Sequence, residues 1–301
     1  MSRRWRLAML DARTNLLVRF SLDLNPAKAF RFSKLNSRNS IMNRRTFLAI
    51  SGLAGIAPLS TLKAAEQAAA ADKRDFYELR QYLFDTESQK QGFDTFMKEA
   101  AIPACNRLGI QPVGVFYPDK GFSPVYVLLR HKSMDSFVML RPRLEADPEY
   151  LSKGAAFLNA PAEAPAFKRL ESSFLVAFAG MPSLETSAKA AGRVFQLRTY
   201  ESPSVKTGQK KIEMFNTAEI KIFREVGLNP VFFGETLSGA KLPNLTYMLG
   251  FNSAEAQKEG WKKFGSHPEW KKLSTMPEYA DKAILCGITN LSLTAAEYSQ
   301  I

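Results

Sequence analysis

The chain has 301 residues, of which 46% are hydrophobic and 23% charged, values typical of a globular protein. Its net charge of +12 is concentrated in residues 1–71, which hold 12 Lys+Arg and 3 Asp+Glu, so the nearly neutral remainder argues against nucleic-acid binding. Two cysteines exclude a disulfide framework and two histidines argue against a His-rich metal site, and the sequence predicts neither a metal nor a bound cofactor.

Residues 42–71 have the pattern of an export signal. Arg44 and Arg45 stand directly before an apolar stretch at 47–62, and small residues follow at 64–71. This arrangement is similar to a twin-arginine signal peptide, which a transport receptor reads. We therefore predict export to the periplasm and cleavage between residues 64 and 71, with no membrane span in the remaining chain.

Residues 1–41 precede Met42 and are expected to lie outside the fold. They hold nine Lys+Arg against two acids. Because a twin-arginine signal begins at its own methionine, we interpret 1–41 as a mis-assigned, disordered extension. The alternative is a mitochondrial transit peptide, since the stretch is rich in arginine and serine, but that reading leaves the Arg44-Arg45 pair unexplained.

The rest of the chain contains an internal duplication. LRQY at 79–82 recurs as LRTY at 197–200, and GIQPV at 109–113 recurs as GLNPV at 227–231, each 118 positions later. Repetition in the same order at one offset predicts two copies of one structural unit. DPEY at 147–150 answers to HPEW at 267–270, 120 positions later, which indicates a two-residue insertion near 239–244. The predicted domains are 72–180 and 193–301, joined by a linker at 181–192.

Each copy has the same order of predicted elements, βαββαβ, which is a ferredoxin-like unit. Gly109 and Gly227 are expected to end the first helix of each copy, while Pro103 should kink or split only the first of these helices. Such a unit leaves one sheet face bare. We therefore predict an α+β fold in which two sheets pack face to face as a pseudo-dimeric α/β barrel. The predicted strands are 76–84, 113–117, 125–130 and 174–178, then 194–200, 231–236, 246–251 and 284–293.

The first strand of each copy carries a family resemblance. YELRQY at 77–82, with Ile102-Pro103 and Leu108-Gly109 on the following helix, resembles the NIPSNAP family, and FQLRTY at 195–200 repeats the strand. The resemblance spans about 75–178 and 193–294. It implies a dimeric α/β-barrel fold, whose relatives include cofactor-free monooxygenases, haem-dependent enzymes and non-catalytic binding proteins. The resemblance therefore implies the fold rather than an activity, and it brings no catalytic residues.

Strand alternation selects the candidate ligand-binding residues. It places Arg80 and Tyr82 of the first copy, and Arg198 and Tyr200 of the second, on faces that we expect to border the space between the sheets. Two arginines there would suit a carboxylate or another small anion. In the alternative reading, Arg80 only pairs with Glu78. Because Gln196 replaces that glutamate in the second copy, Arg198 is the better anion-binding candidate.

His267 and Tyr200 are the candidate catalytic residues. His267 lies between Trp261 and Trp270 in the sequence, where a histidine could exchange protons with an organic substrate. The alternative is a helix-capping role, because Asp147 occupies the matching place in the first copy. The other histidine, His131, follows a strand and is expected to face solvent.

These observations lead to two functional hypotheses. The first is an exported protein that binds a small organic ligand between its two sheets, with any catalysis free of cofactors. The second is a non-catalytic structural or protein-interaction module, in which the same residues stabilise the contact between the copies. Homo-oligomers are compatible with either hypothesis, and no motif in the sequence decides whether the protein is an enzyme.

Overall fold

Eight antiparallel strands close into a barrel in the computed structural model, which describes residues 74–186 and 192–301. The predicted extension at 1–41, the predicted signal with Arg44 and Arg45, and residues 187–191 of the predicted linker lie outside the described residues. The strand order around the barrel is β1-β3-β2-β8-β5-β7-β6-β4. This arrangement confirms the predicted barrel of two ferredoxin-like units. The strands are β1 Phe76–Leu83, β2 Val113–Pro118, β3 Val125–His131, β4 Arg169–Ala177, β5 Val194–Glu201, β6 Asn229–Ser238, β7 Asn244–Phe251 and β8 Gly287–Ala295.

Helices cover the outside of the barrel. In the first copy they are α1 Glu87–Phe96, α2 Ile102–Arg107, α3 Met134–Val138, α4 Leu140–Glu145, α5 Pro148–Lys153 and α6 Ala155–Leu158. In the second copy they are α7 Val205–Met214, α8 Ile220–Glu225, α9 Ala254–Ser266, α10 Pro268–Ser274 and α11 Asp281–Ile284, with a 3₁₀ turn at Pro277–Tyr279. None of the helices in the described part of the chain is long and apolar enough to span a membrane.

The two copies are related by an approximate two-fold axis along the barrel. Every neighbouring pair of strands is antiparallel, so β1 and β5, four steps apart in the order, run in the same direction. Equivalent residues of β1 and β5 therefore lie at the same end of the barrel. Arg80 pairs with Val127 on β3, and Arg198 with Tyr247 on β7, so the offset grows from 118 to 120 between these strands.

A π-helical segment interrupts the first long helix of each copy. Met97–Ala101 joins α1 to α2, and Phe215–Glu219 joins α7 to α8. Pro103 lies in the first turn of α2, directly after the π segment, and has no N–H to donate to the carbonyls of that segment. Because the second copy has the same π segment without that proline, Pro103 is not its cause. Gly109 and Gly227 follow these helices with φ of +74° and +80°, the left-handed conformation expected after a helix end.

Both faces of β1 are buried or half-buried, and this reverses a prediction. The interior of the barrel contains Tyr77 and Leu79 of β1, whereas Tyr82 packs beneath the helices with Phe93. The face of β1 that carries Glu78, Arg80 and Tyr82 is therefore the outer face, toward the helices, and not the face between the sheets. The prediction was wrong because the interior of the barrel is as apolar as the layer under the helices.

Two strands differ in extent from their predictions. β4 begins at Arg169 and not at residue 174, because its first five residues, Arg169 to Ser173, are polar or exposed and lack a strand signal. β8 begins at Gly287 and not at residue 284, since Asp281–Ile284 forms the short helix α11. Neither difference changes the order of the elements.

Candidate functional site

A cavity of about 700 Å³ opens at the end of the barrel where β1 and β5 finish. This volume is typical of pockets that hold small organic molecules. Its deeper wall includes three leucines, Leu79, Leu197 and Leu291, and below these the interior is filled by residues such as Tyr77 and Phe116. The space enclosed by the strands is therefore filled at its centre and open at this end of the barrel. We call this space the mouth cavity.

The walls of the mouth cavity come in equivalent pairs, one residue from each copy. On β1 and β5, Leu79 matches Leu197 and Gln81 matches Thr199. The strand partners of Gln81 are Tyr126 on β3 and Glu171 on β4, and the partners of Thr199 are Thr246 on β7 and Thr289 on β8. The two-fold axis therefore passes through a cavity whose halves are equivalent in position but different in chemistry.

The polar groups of the second-copy wall bond mainly to one another. The hydroxyls of Thr199 and Thr246 are 2.9 Å apart, and Thr236 donates to the Asn244 side chain at 2.6 Å. Lys241, on the β6–β7 hairpin at the rim, donates to Glu201 at 3.0 Å. This wall presents a ladder of hydroxyl groups whose hydrogen bonds are largely made within the protein.

The polar groups of the first-copy wall have few protein partners. Within the described residues, the side chains of Gln81, Tyr126 and Ser173 make no hydrogen bond to protein, and Glu171 meets only Arg169, at 3.5 Å. Burial, and then the nearby Glu171 carboxylate, raise the pKa of Tyr126, so its hydroxyl remains a donor at neutral pH. This wall offers an amide, two hydroxyls and a carboxylate to a bound molecule.

The predicted residues Arg80 and Tyr82 lie outside this cavity, on the outer face of β1. Arg80 donates hydrogen bonds from Nε and Nη2 to the buried Glu78 carboxylate, at 2.7 and 2.9 Å. This contact confirms the alternative that Arg80 pairs with Glu78. Ser172 donates to the same carboxylate at 2.9 Å. His131 Nε2 is 3.7 Å from it, and this histidine is fully buried, so the expectation of a solvent-facing His131 was wrong.

Arg198 and Tyr200 lie on the outer face of β5 with different partners. Arg198 Nε donates to the Tyr200 hydroxyl at 3.1 Å, and that hydroxyl is 2.9 Å from the hydroxyl of Tyr247. The Arg198 guanidinium also lies over the ring of Trp261, 4.9 Å from its centroid. Gln196 accepts a 2.7 Å hydrogen bond from the Trp261 indole. The structure thus brings Arg198 and Tyr200 together, but beneath the helices.

His267 lies apart from both arginines, at the junction of α9 and α10. Its side chain makes no capping hydrogen bond, and Nε2 is 3.5 Å from Glu225. Asp147, its counterpart, does cap α5, through the amides of residues 149 and 150, and pairs with Arg107 at 2.7 Å. His267 is thus the N-cap residue of α10, at the helix start where the alternative placed it, but its side chain does not make the capping hydrogen bond. Glu225 and His267 stand where the first copy has Arg107 and Asp147, so the acidic and the basic residue exchange places.

A buried charged cluster in the second copy escaped the sequence analysis. Lys211 and Glu219 are 1% and 2% exposed, and Lys211 Nζ is 3.6 Å from Glu219 and 3.3 Å from Asp281. The first copy has Phe93 and Ala101 in the places of Lys211 and Glu219. The available signal for this cluster was the presence of charged residues within the apolar stripe of a helix. Charged residues usually face solvent, however.

The described residues contain no group of three or more His, Cys, Asp or Glu side chains that could hold a metal ion. The walls of the mouth cavity offer hydrogen-bonding side chains and one carboxylate at the rim. The chemistry on the outer face of β5 is that of an arginine among aromatic side chains.

Comparison with known proteins identifies the repeated unit. The NIPSNAP family model matches residues 77–181 and again residues 195–300. A search of curated proteins found no match. A NIPSNAP family protein from Agrobacterium tumefaciens is 19% identical, and the match covers 36% of this chain and 98% of that one, with a TM-score of 0.33.

Two larger solved structures are similar to about three quarters of this chain. Each is named "putative monooxygenase". The one from Lactobacillus acidophilus is 8% identical, with a TM-score of 0.51 and coverage of 74% of this chain and 94% of that chain. The one from Fusobacterium nucleatum is also 8% identical, with a TM-score of 0.50 and coverage of 74% and 92%. At this identity the likeness shows the fold alone.

Proposed function

This chain belongs to the NIPSNAP family, and from that premise we propose that it binds a small, neutral, amphiphilic organic molecule in the mouth cavity. The observation that carries the proposal is the division of the cavity into an apolar wall and a polar wall. Three leucines form the deeper apolar part, while Gln81 and Tyr126 bring polar groups without protein partners to the same space. A ligand with an apolar chain and a polar head would satisfy both parts.

The charge at the rim favours an uncharged head group over an anionic one. Glu171 faces the cavity, and Lys241, a cation at the same mouth, is already paired with Glu201. A ligand hydroxyl or amine could donate to Glu171, whereas a ligand carboxylate would be repelled by it. We therefore place the polar head, for example a polyol, beside Glu171 and Gln81.

A substitution that fills the cavity tests the proposal. Thr199→Phe would place a ring in the cavity, and Thr294→Phe makes the same chemical change on the exposed outer face of β8. With hexyl glucoside as the probe, calorimetric titration should give binding to the wild type that Thr199→Phe weakens by at least about tenfold. Thr294→Phe should bind like the wild type, and hexanoate should bind more weakly than the glucoside.

The same variants can test the proposal on a molecule that the protein retains from its own cells, without a chosen probe. The protein purified from its own cells should retain a non-covalent mass in native mass spectrometry that disappears on denaturation. The Thr199→Phe protein should lose that mass, and the Thr294→Phe protein should keep it. Equal binding of hexyl glucoside by wild type and Thr199→Phe would contradict the proposed site.

The proposal includes export to the periplasm before the ligand is bound. It is supported by the Arg44-Arg45 pair and the apolar stretch behind it. Replacing both arginines by lysine keeps the charge but removes the paired-arginine signal. Cell fractionation should then find the precursor in the cytoplasm, and an unchanged periplasmic fraction would contradict this part of the proposal.

A further inference from the structure

Arg198 is an arginine whose hydrogen-bonding capacity is mostly unused. The residue is half-buried, and its Nε donates to Tyr200 at 3.1 Å. Its two terminal nitrogens, Nη1 and Nη2, have no hydrogen-bond partner anywhere in residues 74–186 and 192–301. The ring of Trp261 lies against one face of the guanidinium, 4.9 Å away, and fixes its plane. A planar fork held in this way is suited to a planar anion.

The first copy shows which group an arginine at this position binds. At the equivalent place, Arg80 binds the Glu78 carboxylate with two nitrogens, at 2.7 and 2.9 Å. Ser172, which lies opposite Arg80 on β4, donates a third hydrogen bond at 2.9 Å. The protein thus contains one occupied carboxylate site of this design, filled by a side chain of its own.

The second copy keeps the donors and has no acid at the place of Glu78. Glu219, on the π segment, interacts electrostatically with Arg198 but lies 3.6 Å from the Lys211 cation. Arg198 replaces Arg80, and Asn290, which lies opposite Arg198 on β8, stands where the first copy has Ser172. Glu78 becomes Gln196, whose side-chain oxygen is engaged by the Trp261 indole at 2.7 Å. Gln196 therefore brings no negative charge to Arg198.

The site is open to solvent along β8. The outer-face residues Ile288, Asn290 and Ser292 are all exposed, and Ile288 retains 52% of its accessible surface. None of the helices within residues 74–186 and 192–301 covers this part of the strand as they cover β5. A small molecule can therefore reach Arg198 without a change in the fold.

We infer that Arg198 and Asn290 bind the carboxylate of a small organic acid, at the position that corresponds to the Glu78 carboxylate in the first copy. The acid accepts two hydrogen bonds from the Arg198 guanidinium and a third from the Asn290 amide. Arg198 and Thr199 are neighbours on a strand and point to opposite faces, so this site is separate from the mouth cavity. The inference therefore stands or falls independently of the proposed function.

The test supplies the missing carboxylate from within the protein. Gln196→Glu restores the acid of the first copy, and Asn290→Asp supplies an acid from the exposed side if the buried change disturbs folding. Each new carboxylate should pair with the Arg198 guanidinium. Binding of benzoate, the probe, should therefore weaken by at least about tenfold. Arg198→Gln should abolish binding. Thr199→Phe, which fills the mouth cavity, should leave benzoate binding unchanged.

Nuclear magnetic resonance of the full ¹⁵N-labelled chain gives a readout at the site itself. Benzoate should shift the Arg198 Nε–H and Asn290 side-chain amide signals together and to saturation, whereas neutral benzamide should not. The inference is overturned if these signals stay unmoved at up to about 50 mM benzoate, well beyond millimolar dissociation constants. It is also overturned if folded Gln196→Glu and Asn290→Asp proteins bind benzoate as the wild type does.

Discussion

Glu78 is a buried carboxylate whose neighbours hold it in its charged form. It is 5% exposed, and it accepts hydrogen bonds from Arg80 and Ser172. Burial alone would raise the pKa of Glu78, but His131, Arg80 and Ser172 together lower it to about 2. The charge is therefore a source of stability that depends on pH.

The pH dependence has a definite sign. A carboxylate with a lower pKa in the folded state stabilises the protein above its unfolded pKa, near 4.5, and loses that effect as pH falls toward 2. The free energy of unfolding of the wild type should therefore increase between pH 3 and pH 5, by at most about 3 kcal/mol from this group. Glu78→Gln should remove most of the part of this increase that comes from Glu78. Glu163→Gln, at an exposed position, should leave the increase unchanged. Urea unfolding over this pH range makes the comparison, and equal slopes for wild type and Glu78→Gln would contradict it.

The orientation of these residues shows where sequence reasoning reached its limit. Alternation along β1 correctly grouped Arg80 with Tyr82, and it correctly grouped Arg198 with Tyr200 on β5. Alternation could not decide which group faces the helices, because both faces of the strand are buried. In addition, a glutamate and an arginine such as Glu78 and Arg80 look the same in the sequence whether they pair in the interior or face solvent. The residues of the mouth cavity, such as Gln81 and Thr199, were missed for the same reason.

The elements of the second copy carry a charged contact that the first copy lacks. Lys211 projects from α7, Glu219 ends the π segment, and Asp281 begins α11. The contact thus ties a helix, its π segment and a later short helix together. Burial raises the pKa of Glu219, although the Lys211 cation opposes this effect.

Removing Lys211 alone should destabilise the protein more than removing both Lys211 and Glu219. Lys211→Met leaves Glu219 buried without its cation, which should lower the free energy of unfolding by about 3 kcal/mol at pH 8. The loss should be smaller at pH 5, because Glu219 can then take up a proton. The double variant Lys211→Met, Glu219→Gln should recover most of the loss. Urea unfolding at both pH values measures this, with Phe93→Met at the equivalent place in the first copy as a pH-independent control. A double variant as unstable as Lys211→Met would contradict the pairing.

The order of elements was predictable because it depends on features that occur twice. The repeated LRxY strand, the glycine after the first helix and the fixed offset all fall in segments where apolar periodicity is clear. The polar start of β4 and the π segments were not predictable. The first has no strand composition, and the second arises from backbone hydrogen bonding that leaves no pattern of side chains.

At the scale of the whole molecule, the barrel closes at two seams between the copies. One seam joins β2 to β8, and residues 296–301 extend it, with Gln300 N–H donating to Val113. The other joins β4 to β6, and residues 178–185 extend it, with Glu185 N–H donating to Val231. The side chains of Ile301 and Leu184 enter the interior of the barrel at these two seams.

These two side chains should contribute similarly to the stability of the whole barrel. Ile301→Ala and Leu184→Ala each remove a buried aliphatic group and should each cost about 2–4 kcal/mol of unfolding free energy. Leu242→Ala, at a leucine that is 47% exposed, is the control and should cost much less. Thermal and urea unfolding measure the effect. A loss in only one of the two seam variants would show that the seams are not equivalent.

The mouth cavity lies on the axis that relates the two copies, and this position has a consequence for how the site can diverge. In an assembly of two identical chains, any substitution near the axis appears on both sides at once, so the ligand always meets a symmetric surface. Here each wall is encoded separately. Glu171 can differ from Thr289 and Gln81 from Thr199, so a molecule with two dissimilar ends would meet different walls in its two orientations. Joining the copies in one chain converts a symmetric opening into a directional one.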